Sequence, residues 1–197
     1  AVEQFAAAGV KRVVTMTTDA VTEGIDMGGF AAVEAAVEAT GLEWTHIRPG
    51  EFAVNKRDFW SASIRDEGVV RSAYPDAIGA PVHEADIADV AAVALTADGH
   101  NGKVYSARGP RSSHREQAGA IAAAIGRDIR VERVTHSAER AAIVALGAPP
   151  WAADHILSYP VRWADEPCES SPDIEMVTGR PAHDFAKWAA DHADDFR

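Results

Sequence analysis

The sequence predicts an α/β fold: a partial parallel sheet joined to a smaller, mostly helical C-terminal lobe. Three observations predict it. Short runs rich in valine and isoleucine alternate with longer alanine-rich stretches, which is typical of parallel strands joined by helical crossovers. Glycines lie between these stretches, where helices end and turns begin. The last third of the chain contains helix-start signals and few strand-like runs.

Residues 1–50 read as helix, strand, helix and strand. The short valine run before Met16 is typical of a strand buried in a parallel sheet. Val33 and Val37 are spaced four apart, which favours one buried helical face. In order, the pattern predicts a helix over Ala1–Ala8, a strand over Val10–Met16, a helix over Phe30–Thr40 and a strand over Leu42–Ile47.

The later residues continue the pattern less regularly. Ser113 and Glu116 have the spacing of a capping box, and Ser171 with Pro172 is a typical helix start. The predicted elements are an amphipathic stretch Glu51–Asp66, short edge pieces at Val69-Val70 and Val82, a helix Asp86–Ala97, a strand Lys103–Ser106, a helix from Ser113 to Ile125, a strand Ile129–Val134 and a last helix Pro181–Phe196.

Composition excludes several classes of protein. The 197 residues suffice for one sizeable domain, and 47% hydrophobic with 25% charged residues is an ordinary globular balance. A net charge of −11 argues against direct nucleic-acid binding, which needs clustered Lys and Arg. The single cysteine, Cys168, forms no internal disulfide, which favours the cytoplasm. No membrane span or signal peptide is visible.

Two kinds of site have no motif in this sequence. The glycine-rich turn that carries a dinucleotide pyrophosphate is missing, because Gly24, Gly28 and Gly29 follow a later strand at the wrong spacing. The eight histidines lack the spacing of a metal site, so we expect no metal. Cys168 has no nucleophile context and reads as a passive thiol.

Thr17 and Thr18 are the candidates for chemistry, since they end a buried strand where parallel sheets hold ligands. Their hydroxyls can hydrogen-bond a carbonyl or carboxamide but are weak general acids at neutral pH. The alternative is that they only end the strand and start a turn with Asp19. Asp26 is interpreted as a loop charge and Glu34 as a surface charge of the helix. For the aromatic residues Trp44, Phe59, Trp60 and Trp151, core packing is favoured over a pocket lining.

The order of these features resembles the NmrA-like branch of the atypical short-chain dehydrogenase/reductases. No single motif decides this, but the ordered set covers essentially the whole chain. The matching segments are Ala8–Arg12, the Thr17-Thr18 pair, Thr40–Thr45, Ile47–Asn55, Asp86–Ala91, Gly102–Tyr105 with Gly109-Pro110, Ala124–Arg127 and Val177–Pro181.

The resemblance implies a partial Rossmann-like sheet within residues 1–110, with interleaved substrate segments, and a helical substrate lobe over residues 111–197. The family's glycine turn would precede Ala1, so we expect a preceding part of about 60–90 residues. The cofactor is then NADP or NAD, bound weakly or not at all by this chain alone. The resemblance assigns Thr17 and Thr18 to catalysis, Thr17, Arg48, Pro49 and Gly50 to the cofactor, and Phe30, Phe52, Asn55 and Phe59 to the substrate.

The family's proton-handling positions differ here. Counting back from Glu34 by four and by eight residues gives Phe30 and Asp26, where relatives often carry Lys or His and then Tyr. We therefore weigh three functions for the complete protein. The first is NAD(P)H-dependent hydride transfer to a small quinone-like or carbonyl acceptor. The second is a non-catalytic dinucleotide or metabolite sensor or interaction protein of the same fold, and the third is a truncated, remodelled enzyme with cofactor-free chemistry.

The expected partners are a small-molecule substrate and a second copy of the chain, with neither nucleic acid nor membrane. The second copy is expected because a half-sheet leaves a strand edge open, and open edges are protected in native proteins.

Overall fold

A computed structural model describes residue 4, residues 8–26 and residues 28–197. Its contacts divide the chain into two compact units that interleave along the sequence. The first unit consists of Ala1–Phe52, Glu84–Arg108 and Ser171–Ala182. The second unit consists of Ala53–His83, Gly109–Ser170 and His183–Arg197. The expected α/β fold is confirmed.

Strands and helices alternate through most of the described chain. The strands are β1 (Arg12–Met16), β2 (Glu43–Pro49), β3 (Val69–Ser72), β4 (Ile78–Gly79), β5 (Lys103–Ala107), β6 (Ser112–Ser113) and β7 (Arg130–Arg133). The helices are α1 (Phe30–Glu38), α2 (Asn55–Glu67), α3 (Glu84–Thr96), α4 (His114–Ile125), α5 (His136–Ala145), α6 (Pro150–Asp165), α7 (Asp173–Thr178) and α8 (Phe185–Asp191), followed by a 3-10 helix over Ala193–Phe196.

The first unit is built on a parallel sheet of three strands in the order β1-β2-β5. The central strand is the most buried, and Ile47 in it is fully inaccessible. Helix α3 packs against β1 and β2, and α7 packs against β5. Ile87 and Val90 of α3 and Ile174 of α7 contribute buried side chains. The apolar face of each helix thus covers the sheet.

Backbone pairing in this sheet continues beyond the last residues of β1 and β2. The N–H of Thr17 donates to the carbonyl of Ile47 and that of Asp19 donates to Pro49, both at 2.9 Å. The N–H of Gly50 donates to the carbonyl of Ala107 at 3.1 Å. The segments that follow β1 and β2 are therefore bonded to the carboxyl ends of the neighbouring strands.

The second unit contains two small sheets among helices. Strand β3 pairs with β7 in parallel, and β4 pairs with β6 in antiparallel. The main apolar cluster centres on Trp60, Ile64, Ile121, Trp188 and Phe196, all at most 5% exposed. A smaller cluster contains Ile143, Ala153 and Leu157. The Val69-Val70 piece, predicted at a sheet edge, is fully buried in β3.

Several predicted elements differ from the structure in their extent. The helix predicted over Ala1–Ala8 lies mostly outside the described residues. The last helix begins at Phe185 rather than Pro181, because the Asp184 carboxylate accepts the N–H of Lys187 at 2.8 Å and caps it there. One change of unit, between Arg108 and Gly109, lies next to the predicted boundary at residue 110, but the units also interleave elsewhere, since β3 pairs with β7 and α7 belongs to the first unit.

Core packing was predicted for the tryptophans, and the structure agrees for Trp60 but not for Trp151. Trp60 is 5% exposed, as expected of a core residue. Trp151 is 57% exposed, so the expectation of core packing was wrong for it. Helix α6 buries Ala153, Leu157 and Pro160, and Trp151 in its first turn lies off that face.

Candidate functional site

Polar side chains of the first unit gather where its three strands end. Thr17 and Asp19 follow β1, Arg48 and Pro49 end β2, and Arg108 follows β5. Because the carboxyl ends of parallel strands lie at one edge of a sheet, these residues come together there. This edge is where folds of this class bind ligands, and it is the candidate site.

A buried carboxylate organises one half of this edge. Glu34 of α1 is only 4% exposed. It accepts the hydroxyl of Thr17 on Oε1 at 2.6 Å, and Arg48 Nε on Oε1 and Nη2 on Oε2 at 3.0 and 2.5 Å. Arg48 Nη1 also donates to Thr22 Oγ1 at 3.1 Å. These residues, Thr17, Thr22, Glu34 and Arg48, are called the Glu34 cluster below.

The electrostatics of the Glu34 cluster keep its carboxylate ionised. Burial favours the neutral acid, but hydrogen bonds from Arg48 and Thr17 outweigh it and hold the pKa of Glu34 below its usual value. The pKa of Arg48 is raised, chiefly by its hydrogen bond to Glu34. The interpretation of Glu34 as a surface charge was wrong, because Thr17 and Arg48 provide the partners that allow it to be buried.

The two threonines predicted to act in catalysis have different environments. The Thr17 hydroxyl is buried and engaged with Glu34, so it fixes the end of β1 against α1. Thr18 is half-buried, and its Oγ1 accepts the N–H of Ala20 at 3.3 Å. That bond leaves the Thr18 hydroxyl proton able to donate. Thr18 is the better placed of the two to meet a ligand.

An arginine that the sequence analysis did not single out organises the other half of the edge. Arg108 Nε forms an ion pair with Asp19, and Nη2 donates to Glu23 Oε1 at 3.1 Å. Ser106 Oγ lies 3.4 Å from Asp19 Oδ1. Arg108, Asp19 and Glu23 are called the Arg108 triad below. The signal that could have revealed it is positional, since Arg108 follows β5 as Thr17 follows β1.

Asp26 and Phe30 occupy the positions where relatives often carry proton-handling groups. Asp26 Oδ1 accepts the N–H of Gly28 at 3.0 Å and Oδ2 accepts that of Ala31 at 2.9 Å, so the carboxylate caps the start of α1. The Phe30 side chain is 40% exposed, and a Cβ added at Gly28 would approach its ring to 2.8 Å. Asp26 is thus a helix cap, and Phe30 is an exposed aromatic surface.

The remaining predicted site residues lie in both units. Pro49 ends β2 and is buried, while Gly50 and Phe52 are half-buried in the first unit. Asn55 and Phe59 belong to the second unit. Asn55 is the exposed first residue of α2, and Phe59 packs against both apolar clusters of that unit.

The described residues were predicted to hold no metal site and no membrane span. Among residues 8–26 and 28–197, no group of three or more His, Cys, Asp or Glu side chains is placed to hold a metal ion. No helix in the described part of the chain is both long and apolar enough to cross a membrane. Cys168 is half-buried, and its thiol lies 3.7 Å from the carbonyl of Glu169.

Comparisons with known proteins agree with this architecture. No family model matches the chain. The structure is similar to that of an NADPH-dependent quinone oxidoreductase from Escherichia coli, with a TM-score of 0.75 and 23% identity, over 96% of this chain and 70% of that one. The sequence is 37% identical over 197 residues to (4-alkanoyl-5-oxo-2,5-dihydrofuran-3-yl)methyl phosphate reductase of Streptomyces griseus, covering 97% of this chain and 69% of that protein. The chain belongs to the atypical short-chain dehydrogenase/reductase family.

A second relative supports the same family. The chain is 33% identical over 162 residues to an NAD(P)H azoreductase of Xenophilus azovorans. That match covers 81% of this chain but only 56% of the azoreductase, so the chain spans little more than half of that protein's length. In this atypical short-chain dehydrogenase/reductase, the residues at the strand ends are those of the Glu34 cluster and the Arg108 triad.

Proposed function

We propose that this chain is part of an NAD(P)H-dependent reductase of the NmrA-like branch, acting on a small planar acceptor such as a quinone. The observation that carries the proposal is the Glu34 cluster, which fixes the carboxyl end of β1 with the half-buried Thr18 hydroxyl beside it. The names of two relatives, an NAD(P)H azoreductase and an NADPH-dependent quinone oxidoreductase, support the reaction class.

The residues of the first unit fit the nicotinamide end of the cofactor. Thr18 offers a hydroxyl donor for a carboxamide. Pro49 ends β2, followed by Gly50, and the Pro49 carbonyl accepts the N–H of Asp19, the residue after Thr18. A reduced nicotinamide, when bound, supplies a hydride, and the protein's task is to position it. The described residues offer no comparable site for the pyrophosphate of the cofactor. The glycine-containing loop of Gly24, Gly28 and Gly29 also carries Glu23 and Asp26, whose negative charges repel phosphate.

The side chains would then act by orientation. Arg48 and Glu34 hold Thr17, which keeps Thr18 in place to donate to the carboxamide or to the acceptor's oxygen. Phe30 and Phe52 of the first unit would border the acceptor. A quinone takes up one hydride and one proton to become a hydroquinone, and its proton can come from water. This reaction therefore makes little demand on a protein acid.

The second candidate function is a dinucleotide or metabolite sensor without turnover. The observation in its favour is that Asp26 caps α1 and that Phe30 has no ionisable group. The two positions that often handle protons in relatives thus offer no proton donor.

Quinone-dependent oxidation of NADPH by the full-length protein tests between the two. We expect turnover, and we expect Thr18→Val to reduce kcat about tenfold, as the loss of one hydrogen bond would. Thr96→Val is the matched control, since the Thr96 hydroxyl bonds only to its own helix at Ala92 in the described contacts. NADPH binding without turnover would establish the sensor and contradict the reductase.

The cofactor affinity of the 197-residue chain is a separate prediction. Because the described residues include no loop suited to the pyrophosphate, we expect this chain alone to bind NADPH weakly or not at all. Isothermal titration calorimetry checks this. An affinity in the low micromolar range would contradict it.

We also propose that, in a preparation of the 197-residue chain alone, a second copy covers the edge of β1. This strand is at the edge of the three-stranded sheet, and Met16 at its end is 58% exposed. Exposed strand edges invite pairing with another chain. Light scattering should therefore report a dimer or larger species, and a well-behaved monomer would contradict this.

A further inference from the structure

The Arg108 side chain runs across the ends of all three strands in the first unit. It starts beyond β5, passes Gly50 at the end of β2 and reaches Asp19 in the loop after β1. The same guanidinium also holds Glu23, four residues further along that loop. One side chain thus fixes two points of the loop that carries Thr17 and Thr18.

Gly50 is the residue that allows this crossing. Its backbone is not among the glycines with a positive φ, so its conformation does not require glycine. A Cβ at this position would lie 3.2 Å from Arg108 Cγ and 3.8 Å from Asp19 Oδ2. The absence of a side chain therefore gives the Arg108 stem room to pass close to the backbone.

The ion pair between Arg108 and Asp19 is largely buried, so the Asp19 carboxylate depends on the Arg108 cation to stabilise its charge. The Asp19 side chain is 5% exposed and that of Arg108 is 20% exposed. A buried carboxylate that loses its cation either takes up a proton or moves towards water. Either response would shift the loop, and Thr18 is the residue directly before Asp19.

We propose that Arg108 is a positioning residue of this site, holding the Thr17-Thr18 loop in its reactive geometry through Asp19 and Glu23. The proposal rests on the proposed function, because it assigns Thr18 to the ligand. Arg108 itself need not touch the reactants. Its side chain provides a third connection between the segment after β1 and the neighbouring strands, in addition to the two backbone hydrogen bonds that Thr17 and Asp19 donate to β2.

The chain contains a matched control for this arginine. Arg180 also bridges two carboxylates of the first unit, pairing with the fully buried Asp86 and with Asp89. It joins α3 to the segment after α7, and its described side-chain partners Asp86, Asp89 and Pro181 all lie outside residues 17–24. Arg108→Met and Arg180→Met therefore both remove a cation from a buried carboxylate, but only Arg108→Met releases the loop.

The test combines hydrogen exchange with kinetics on the full-length protein. Arg108→Met should accelerate amide exchange in residues 17–24 and reduce kcat by about 10–100-fold, the range for a reacting group misplaced by about 1 Å. Arg180→Met should leave both unchanged, even if it lowers Tm to the same extent. Arg108→Lys, which keeps the charge but not both contacts, should recover part of kcat.

Each result decides the proposal. Unchanged exchange in residues 17–24 of Arg108→Met would overturn it, as would faster exchange with an unchanged kcat. If Arg108 acts through Asp19, then combining Arg108→Met with Asp19→Asn should be no worse than the more severe single variant, whereas multiplying effects would show a direct action of Arg108. A wild type without turnover would refute the proposed reductase, and hydrogen exchange would still decide whether Arg108 fixes the loop.

Discussion

Each unit buries a polar cluster at the end of a parallel strand pair, but the buried charge is stabilised by a different kind of partner in each cluster. In the first unit the Glu34 carboxylate meets the Arg48 guanidinium. In the second unit the buried Lys56 ammonium meets a histidine, with Nζ 3.1 Å from His114 Nε2, and His114 Nδ1 lies 2.9 Å from Ser72 Oγ at the end of β3. Lys56, Ser72 and His114 are called the His114 cluster below.

The direction of the hydrogen bonds in the His114 cluster follows from the ammonium. Lys56 can only donate, so His114 Nε2 accepts and Nδ1 carries the hydrogen that it donates to Ser72 Oγ. Burial, followed by the nearby charge of Lys56, holds the pKa of His114 well below its usual value. The imidazole is therefore neutral and does not act as a base towards Ser72.

The comparison shows two ways to keep polar groups out of water. Opposite charges stabilise each other in the Glu34 cluster, so its integrity depends on both partners being present. The His114 cluster has one charge, which is also 4.7 Å above the Trp60 ring, and it depends on the histidine staying neutral. The first cluster should thus be sensitive to the loss of a charge, and the second to acid.

The largest expected effect is the removal of Arg48. Arg48→Met leaves the Glu34 carboxylate buried with Thr17 as its remaining described donor, which should reduce the free energy of unfolding by about 3 kcal/mol. Urea unfolding at pH 7.5 measures it. The double variant with Glu34→Gln removes the buried charge as well, and should be more stable than Arg48→Met alone. A loss below about 0.5 kcal/mol would place this ion pair among ordinary surface pairs.

A smaller effect should distinguish the two clusters, because their contributions to the free energy of unfolding are lost in different pH ranges. His114 has a folded-state pKa below its unfolded value of about 6.5, so its contribution to stability is present above that pH and is lost as pH falls. Glu34 also has a lowered pKa, but its loss begins only below the ordinary carboxyl range near 4.5. Between pH 7.5 and 5.5, one excluded proton at His114 amounts to about 1 kcal/mol of lost stability.

The variant His114→Gln should remove this acid loss. Its free energy of unfolding should fall less between pH 7.5 and 5.5 than that of the wild type, by about 1 kcal/mol. The control is His136→Gln, which changes an exposed histidine of the same unit. An equal pH dependence in the wild type and in His114→Gln would show that His114 is not kept neutral by folding.

Local signals explain how much of the fold the sequence could predict. The capping box of Ser113 and Glu116 is present as predicted, because its two hydrogen bonds join residues three apart. The pairing of β3 with β7 could not be read in the same way. Val69 and Arg130 are partners across a long stretch of chain, and their pairing depends on the packing of the second unit.

Glu34 shows why the candidate site was only partly predictable. The spacing of Val33 and Val37 indicated the buried face of α1, yet Val33 is 47% exposed while Glu34 and Val37 are buried. The helix is rotated towards Glu34 because Arg48 and Thr17, which are close only in the folded sheet, satisfy its carboxylate. Thr17 was named from its place at the end of a strand and Arg48 from the resemblance, whereas finding Arg108 would have required the strand order.

The smallest expected effect concerns the helix caps of the two units. Asp26→Ala removes the acceptor for the N–H groups of Gly28 and Ala31, which should reduce the free energy of unfolding by about 0.5–1 kcal/mol. Ser113→Ala in the second unit should cost at most about 1 kcal/mol, at the upper end of this range, because the capping box loses reciprocal bonds with Glu116.

Asp26→Asn separates capping from catalysis at the same position. Asparagine keeps one side-chain oxygen, which can still accept the N–H of Ala31 in α1, while the bond to the exposed loop N–H of Gly28 is lost. Stability should therefore stay within about 0.5 kcal/mol of the wild type. It cannot supply a carboxyl proton. If Asp26 only caps the helix, kcat for quinone reduction should be unchanged in Asp26→Asn. A large loss of kcat with full stability would instead make Asp26 the missing acid, and the first unit would then handle protons in the same loop that holds its ligand.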